Sequence, residues 1–145
     1  MKILVTGNLG YVGSVVVPHL RRVLPDAEIV GLDTAFFASA LTGADISPEV
    51  ALDQQRFGDV RSFDPALCHG VDHVIHLAAI SNDPIGNAFA EVTYDINHAG
   101  TIKVAQAARR AGVKSFVFAS SCSMYGAAAG PACDESAPLA PLTPY

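Results

Sequence analysis

Three glycines spaced three apart, Gly7, Gly10 and Gly13, point most directly to chemistry in this 145-residue chain. The apolar run Ile3, Leu4 and Val5 precedes them, and a stretch with Val12, Val15, Val16, Leu20 and Val23 on one helical face follows. Strand, glycine turn and helix in that order let a pyrophosphate approach bare backbone. The helix N-terminus then offers unpaired N–H groups and the positive end of its dipole. The spacing is GxxGxxG, not the commoner GxGxxG. Roughly twenty residues further on, Asp33 closes a second strand over 28–32. A carboxylate there accepts hydrogen bonds from the ribose hydroxyls of an adenosine and repels a 2′-phosphate, which points to NAD over NADP. The plainer reading is a turn aspartate; the strand–turn–helix context weighs against it.

The elements that must position these residues alternate along the chain. Periodicity predicts strands over 2–6, 28–32, 54–57, 73–77 and 115–119, and helices over 11–24, 62–69 and 87–111. Alternation of this kind means right-handed βαβ crossovers and a parallel sheet: an α/β, doubly wound, Rossmann-type fold forming one domain over 1–145. Pro18 should kink or strain the first helix. The connection 34–53 is too long to be bland and carries Phe36, Phe37 and Leu41. Covering the adenosine end of a cofactor and packing on a neighbouring element fit these side chains equally well. Beyond Gly126, the prolines 131, 138, 141 and 144 predict an extended surface loop.

Half of the residues are hydrophobic and the mean hydropathy is +0.33. Strands buried on both faces of a parallel sheet account for part of that excess, and an unburied interface for the rest. A net charge of −5 and a pI near 5.3 leave no basic stripe for nucleic acid. No apolar stretch reaches membrane-spanning length and the chain opens directly on a strand, so the expected location is the cytoplasm. Cys68, Cys122 and Cys133 show no CxxC spacing and read as reduced thiols. His69 and His73 are separated by Gly70, which breaks any helix between them, so no metal site is expected.

Further segments make the pattern specific. These are Thr6 to Gly13, with Asp33 after it; Gly58-Asp59-Val60-Arg61; His76-Leu77-Ala78-Ala79; the run from Phe118 through Ser120, Ser121, Cys122, Ser123, Met124 and Tyr125 to Gly126; and the approach from Glu135 to Tyr145. Taken in order, they resemble the extended short-chain dehydrogenase/reductases, in the nucleotide-sugar epimerase/dehydratase group, over the whole chain.

The resemblance implies roles residue by residue. Gly7, Asn8, Gly10, Tyr11 and Val12 would form the phosphate turn, and Asp59 and Val60 would contact adenine. Leu77, Ala78 and Ala79 would line the dinucleotide, and Asn97 would help order the site. Ala78 and Ala79 serve equally as core, and Asn97 equally as a partner for buried backbone groups. Ser121 would hydrogen-bond the sugar oxygen and Tyr145 would move its proton while a hydride passes between NAD and a sugar carbon. A phenol, with its reference pKa of about 10, must be lowered to act as a base near neutrality. The group uses a lysine four residues after the tyrosine for this. Here no Lys or Arg follows Lys114. The resemblance thus implies an incomplete domain, truncated after the fifth strand and without the group's C-terminal substrate domain, and no turnover is expected from the 145 residues alone.

Cys122 and Ser123 follow Ser121 where the dehydratase branch carries Asp and Glu, which favours an epimerase or 4-keto-sugar reductase acting on a nucleotide sugar. A non-catalytic dinucleotide-binding or protein-interaction module is the alternative. Exposed apolar surface on the long helix and last strand predicts a homo-oligomer or self-association.

Overall fold

The computed structural model describes residues 1–38, 47–81, 83–127 and 132–145. Leu41 and Pro131 lie outside the described residues. Five parallel strands form one sheet: β1 (Lys2–Thr6), β2 (Glu28–Asp33), β3 (Gln54–Phe57), β4 (His73–His76) and β5 (Ser115–Phe118). Their spatial order is β3-β2-β1-β4-β5. The order reverses between β1 and β4, and in open α/β sheets that switch point opens a crevice beyond the carboxyl ends of the strands.

Successive side chains of a strand face opposite sides, and β1 divides the core accordingly. Ile3 and Val5 pack with Ile29, Ala27 and Val17 beneath helix α1 (Gly13–Val23). Leu4 packs on the other face with Val30, Leu32, Val74 and Val104, the last from helix α4 (Thr101–Arg110). With both faces covered, the central strands carry unbroken apolar runs, as parallel sheets require. The edge strands β3 and β5 are mostly exposed. Among the described residues no helix is long and apolar enough to cross a membrane.

The strands fall within one residue of their predicted ends; the helices differ more. α1 runs through Pro18, which faces solvent. The single helix expected over 62–69 is two short 3-10 turns, Val60–Ser62 and Pro65–Cys68. Asp59 and Asp64 cap them, each carboxylate accepting an amide two residues on, and Pro65 holds Asp64 extended. A further 3-10 turn, Pro48–Ala51, lies in the connection read as loop.

The long helix begins earlier than expected, with α2 (Asp83–Ala88). It breaks at Phe89 and resumes as α3 (Ala90–Tyr94). A π-helical segment, Asp95–Gly100, then leads into α4. Gly100 sits here against Val60, whose Cγ2 would lie 2.8 Å from an added β-carbon.

Candidate functional site

At the carboxyl ends of β1, β2 and β4 lies a cleft of about 550 Å³. Gly7, Gly10, Asp33, Asp59, Val60, Leu77, Ala78 and Ala79 all line it. Residues from four separate stretches of sequence thus meet at the switch point.

Each glycine of the turn has its own reason. Gly7 has φ +76° and presses on the backbone beyond β4: a β-carbon there would lie 2.6 Å from the Ala78 amide nitrogen. At Gly13 an added β-carbon would lie 2.4 Å from the Asn8 carbonyl oxygen, so this glycine lets α1 pack on the turn. Gly10 is different. An added β-carbon would meet only the Gly7 carbonyl, at 3.3 Å, although Gly10 borders the cleft. The space above it is open. Beside it the amides of Tyr11, Val12 and Gly13 find no acceptor among the described residues, and α1 has no side-chain cap. Bare backbone, open space and unpaired donors at a helix N-terminus fit a pyrophosphate.

Three residues of the expected phosphate turn direct their side chains away from the cleft. The Asn8 side chain is fully buried away from the cleft, donating to Gln55 Oε1 at 2.6 Å beneath Gly31. Its side chain pegs the turn to β2 and β3. Tyr11 and Val12 turn their side chains to solvent, with exposures of 89% and 51%, so their backbone amides are what they offer beside Gly10.

Asp33 closes β2 and accepts from the Leu9 amide at 2.9 Å through Oδ2 and from the Ala35 amide at 2.8 Å through Oδ1. The carboxylate therefore holds the glycine turn in place from the neighbouring strand. Ala35, at φ +61°, follows in the left-handed region.

Asp59 receives Arg61 Nε at 2.9 Å and Nη2 at 2.6 Å, and the Arg61 guanidinium holds its carboxyl below the usual carboxylate range. Arg61 itself borders the cleft.

Asn97 stands off the lining but reaches it indirectly. Its Oδ1 accepts from the Ile80 amide at 2.8 Å, and its Nδ2 donates to the Ile80 carbonyl at 2.9 Å. Both hydrogen bonds clamp the loop that carries Ala78 and Ala79.

Ser121 and Tyr145 do not line the cleft, and no hydrogen bond joins them. Ser121 caps the 3-10 turn Cys122–Tyr125; its Oγ lies 2.8 Å from Ser123 Oγ and accepts from the Ser123 amide. Tyr145 packs near Gly86 of α2. Among the described residues the tail is held by the Ala140 amide donating to the Met124 carbonyl at 2.9 Å and by the Thr143 hydroxyl donating to Asp83 at 2.9 Å. Gly126, at φ +68°, lets the tail approach, since a β-carbon there would lie 2.1 Å from the Ala140 carbonyl oxygen.

The sequence reading missed part of the lining. Ile85, Phe89, Val92 and Ile96 form an apolar wall at helical spacing, a stripe visible in the sequence had the helix been started at Asp83. Phe36 and Phe37 also border the cleft, in edge-to-face contact with centroids 4.9 Å apart. The connection 34–53 thus borders the cleft at these two residues.

Comparison with known proteins follows the same lines. The NAD dependent epimerase/dehydratase family matches residues 3–145. A UDP-glucose 4-epimerase of Streptomyces lividans is 37% identical, the match covering 99% of this chain and 43% of that protein. A dTDP-D-glucose 4,6-dehydratase of Mus musculus is 32% identical over 99% of this chain and 42% of its own length. The UDP-glucose-4-epimerase of Stenotrophomonas maltophila, solved with bound NAD and formylated UDP-arabinopyranose, superposes with a TM-score of 0.78 at 27% identity, over 100% of this chain and 44% of that one. The chain spans less than half the length of each.

Proposed function

The chain belongs to the NAD dependent epimerase/dehydratase family, and from that premise we propose that residues 1–145 are the cofactor-binding domain of an NAD-dependent nucleotide-sugar epimerase or 4-keto-sugar reductase. The observation that carries this is the open space over Gly10 beside three amides without acceptors. The nicotinamide, when bound, would accept a hydride from a sugar carbon in its oxidised form and return one to a 4-keto carbon in its reduced form.

The chain's own residues bind and orient. Gly10 leaves room for the pyrophosphate, and the amides of Tyr11, Val12 and Gly13 donate to it. Asp33 uses its remaining lone pairs for ribose hydroxyls and disfavours a 2′-phosphate. Asp59 and Val60 border adenine, and Phe36 and Phe37 line the same cleft. Leu77, Ala78 and Ala79 form a low wall, held at its far end by Asn97 through Ile80. Ser121 and Tyr145 lie outside this lining; their part is with the sugar oxygen, where Ser121 donates a hydrogen bond and Tyr145 carries the proton. Cys122 and Ser123 are not carboxylic acids, which favours epimerisation or reduction over elimination of water. The mouse dehydratase among the relatives makes that preference a point to test.

The test is the reading frame beyond Tyr145, with the activity of its product. The reading is supported by a frame continuing with a lysine four positions on, whose product interconverts a nucleotide sugar with its C4 epimer or reduces its 4-keto form. A frame ending at Tyr145, or a product that binds NAD and turns over no nucleotide sugar, would leave a dinucleotide-binding module in its place.

A further inference from the structure

His76 ends β4 one residue before the cleft wall, and it is 1% exposed. Its ring lies near Phe116 and Phe118 of β5, with centroids 5.8 and 6.1 Å away. A buried imidazole needs partners on both nitrogens, and here both partners are hydroxyls. Nδ1 is 2.7 Å from Thr6 Oγ1 at the end of β1, and Nε2 is 2.9 Å from Thr101 Oγ1 at the start of α4.

The direction of these bonds follows from the far end. Thr101 Oγ1 lies 2.6 Å from the Asn97 carbonyl oxygen, which can only accept. The Thr101 proton is therefore used there, and its lone pair accepts from His76 Nε2–H. Nδ1 is then bare and accepts from the Thr6 hydroxyl. Every member is satisfied in one sense only, so the chain reads Thr6 to His76 to Thr101 to Asn97.

The Asn97 end is where this chain meets the cleft. The Thr101 amide donates to the His98 carbonyl, and the Thr101 hydroxyl takes the Asn97 carbonyl. That contact secures the π segment at the residue whose side chain grips both backbone groups of Ile80. π segments inside α-helices are frequent at functional sites because they re-aim side chains.

We propose that His76, with Thr6 and Thr101, is a positioning residue for the cofactor cleft: it locks the π segment through Thr101 so that Asn97 holds the Ile80 loop against the dinucleotide. The proposal rests on the reading of the cleft as an NAD site.

Two measurements on the 145-residue chain test it: NAD affinity by calorimetry, and hydrogen exchange at the Ile80 amide relative to amides of β1 and β2. Thr101→Val keeps the shape and removes the hydroxyl. It should weaken NAD binding about tenfold, the weight of one lost buried hydrogen bond, and speed exchange at Ile80 while the strand amides stay protected. Thr101→Ser, which restores the hydroxyl, should return both to the parent values.

A folded Thr101→Val protein with parental affinity and unchanged Ile80 exchange would overturn the proposal. So would exchange rising equally at Ile80 and in the strands, which marks a merely structural role. If Thr101→Val does not fold, Thr6→Val removes the other end of the chain and is read with the same outcomes. Absence of NAD binding by the parent chain would sink the cofactor reading alone, since the Ile80 exchange comparison still decides the network.

Discussion

Gly7 presses on the backbone of Ala78 at the mouth of the cleft: a β-carbon on Gly7 would lie 2.6 Å from the Ala78 amide nitrogen. The two sit beyond β1 and β4, the strands between which the sheet order reverses. That contact separates the glycines of one turn into a structural one and a binding one. Gly7→Ala meets backbone that cannot yield and adopts a positive φ, so it should cost about 3 kcal/mol or more of stability. Gly10→Val meets only one carbonyl at 3.3 Å, so it should keep the fold and lose NAD. Chemical denaturation and NAD titration of both variants check this; a Gly7→Ala protein of parental stability would contradict the geometry.

In the proposed function Asp33 would join recognition to the architecture it already supports through the Leu9 and Ala35 amides. Asp33→Ala should narrow the preference for NAD over NADP, by weakening the first and relieving repulsion of the second. It should also lower stability by about 1–3 kcal/mol, because the Leu9 and Ala35 amides lose their acceptor. Parallel titrations of the two cofactors decide the first point, and equal affinities in the parent chain would remove Asp33 from cofactor selection.

Burial pushes the pKa of His76 down from 6.5 to about 4. Between these values the unfolded chain binds the proton and the folded chain does not. Stability is therefore complete above pH 6.5 and declines as pH falls towards 4, by about 3 kcal/mol across the window. Urea midpoints measured through this range should show the decline, and His76→Gln should flatten it. The carboxylates of Asp53, Asp59 and Asp72 are all held below the usual range by their partners, so their contributions are lost only at still lower pH.

Val117 and Phe118 are more than half exposed on β5, an outer strand of the sheet. The 145-residue chain should self-associate through this edge as concentration rises, and Phe118→Lys should reduce the association. Light scattering over a concentration series gives the answer; a monodisperse monomer at every concentration would show that the edge is not adhesive.

The strands and the cleft's position were legible because continuous apolar runs and the glycine turn are local signals. Asp33, read from its place at the end of the second strand, lines that cleft, and so do Asp59 and Leu77–Ala79, which the resemblance pointed to. What escaped depends on contacts between distant stretches. Asn8 reads as part of a phosphate turn, yet its amide is drawn under Gly31 to Gln55. The predicted continuous helix 87–111 contains a π segment that no propensity marks, fitted where Gly100 meets Val60 and Thr101 meets His76. Ser121 and Tyr145, named from the resemblance for the sugar oxygen, lie outside the lining of the cleft.

The central claim is that the turn after β1 and its neighbouring walls take up NAD. Titration of NAD into the isotopically labelled chain, followed at the backbone amides, tests it most directly. We expect saturable shifts concentrated at Gly7, Gly10, Tyr11, Val12, Asp33, Ala78 and Ala79, with smaller changes along β3 and β5. Shifts that do not saturate, or that gather away from the glycine turn, would contradict the account.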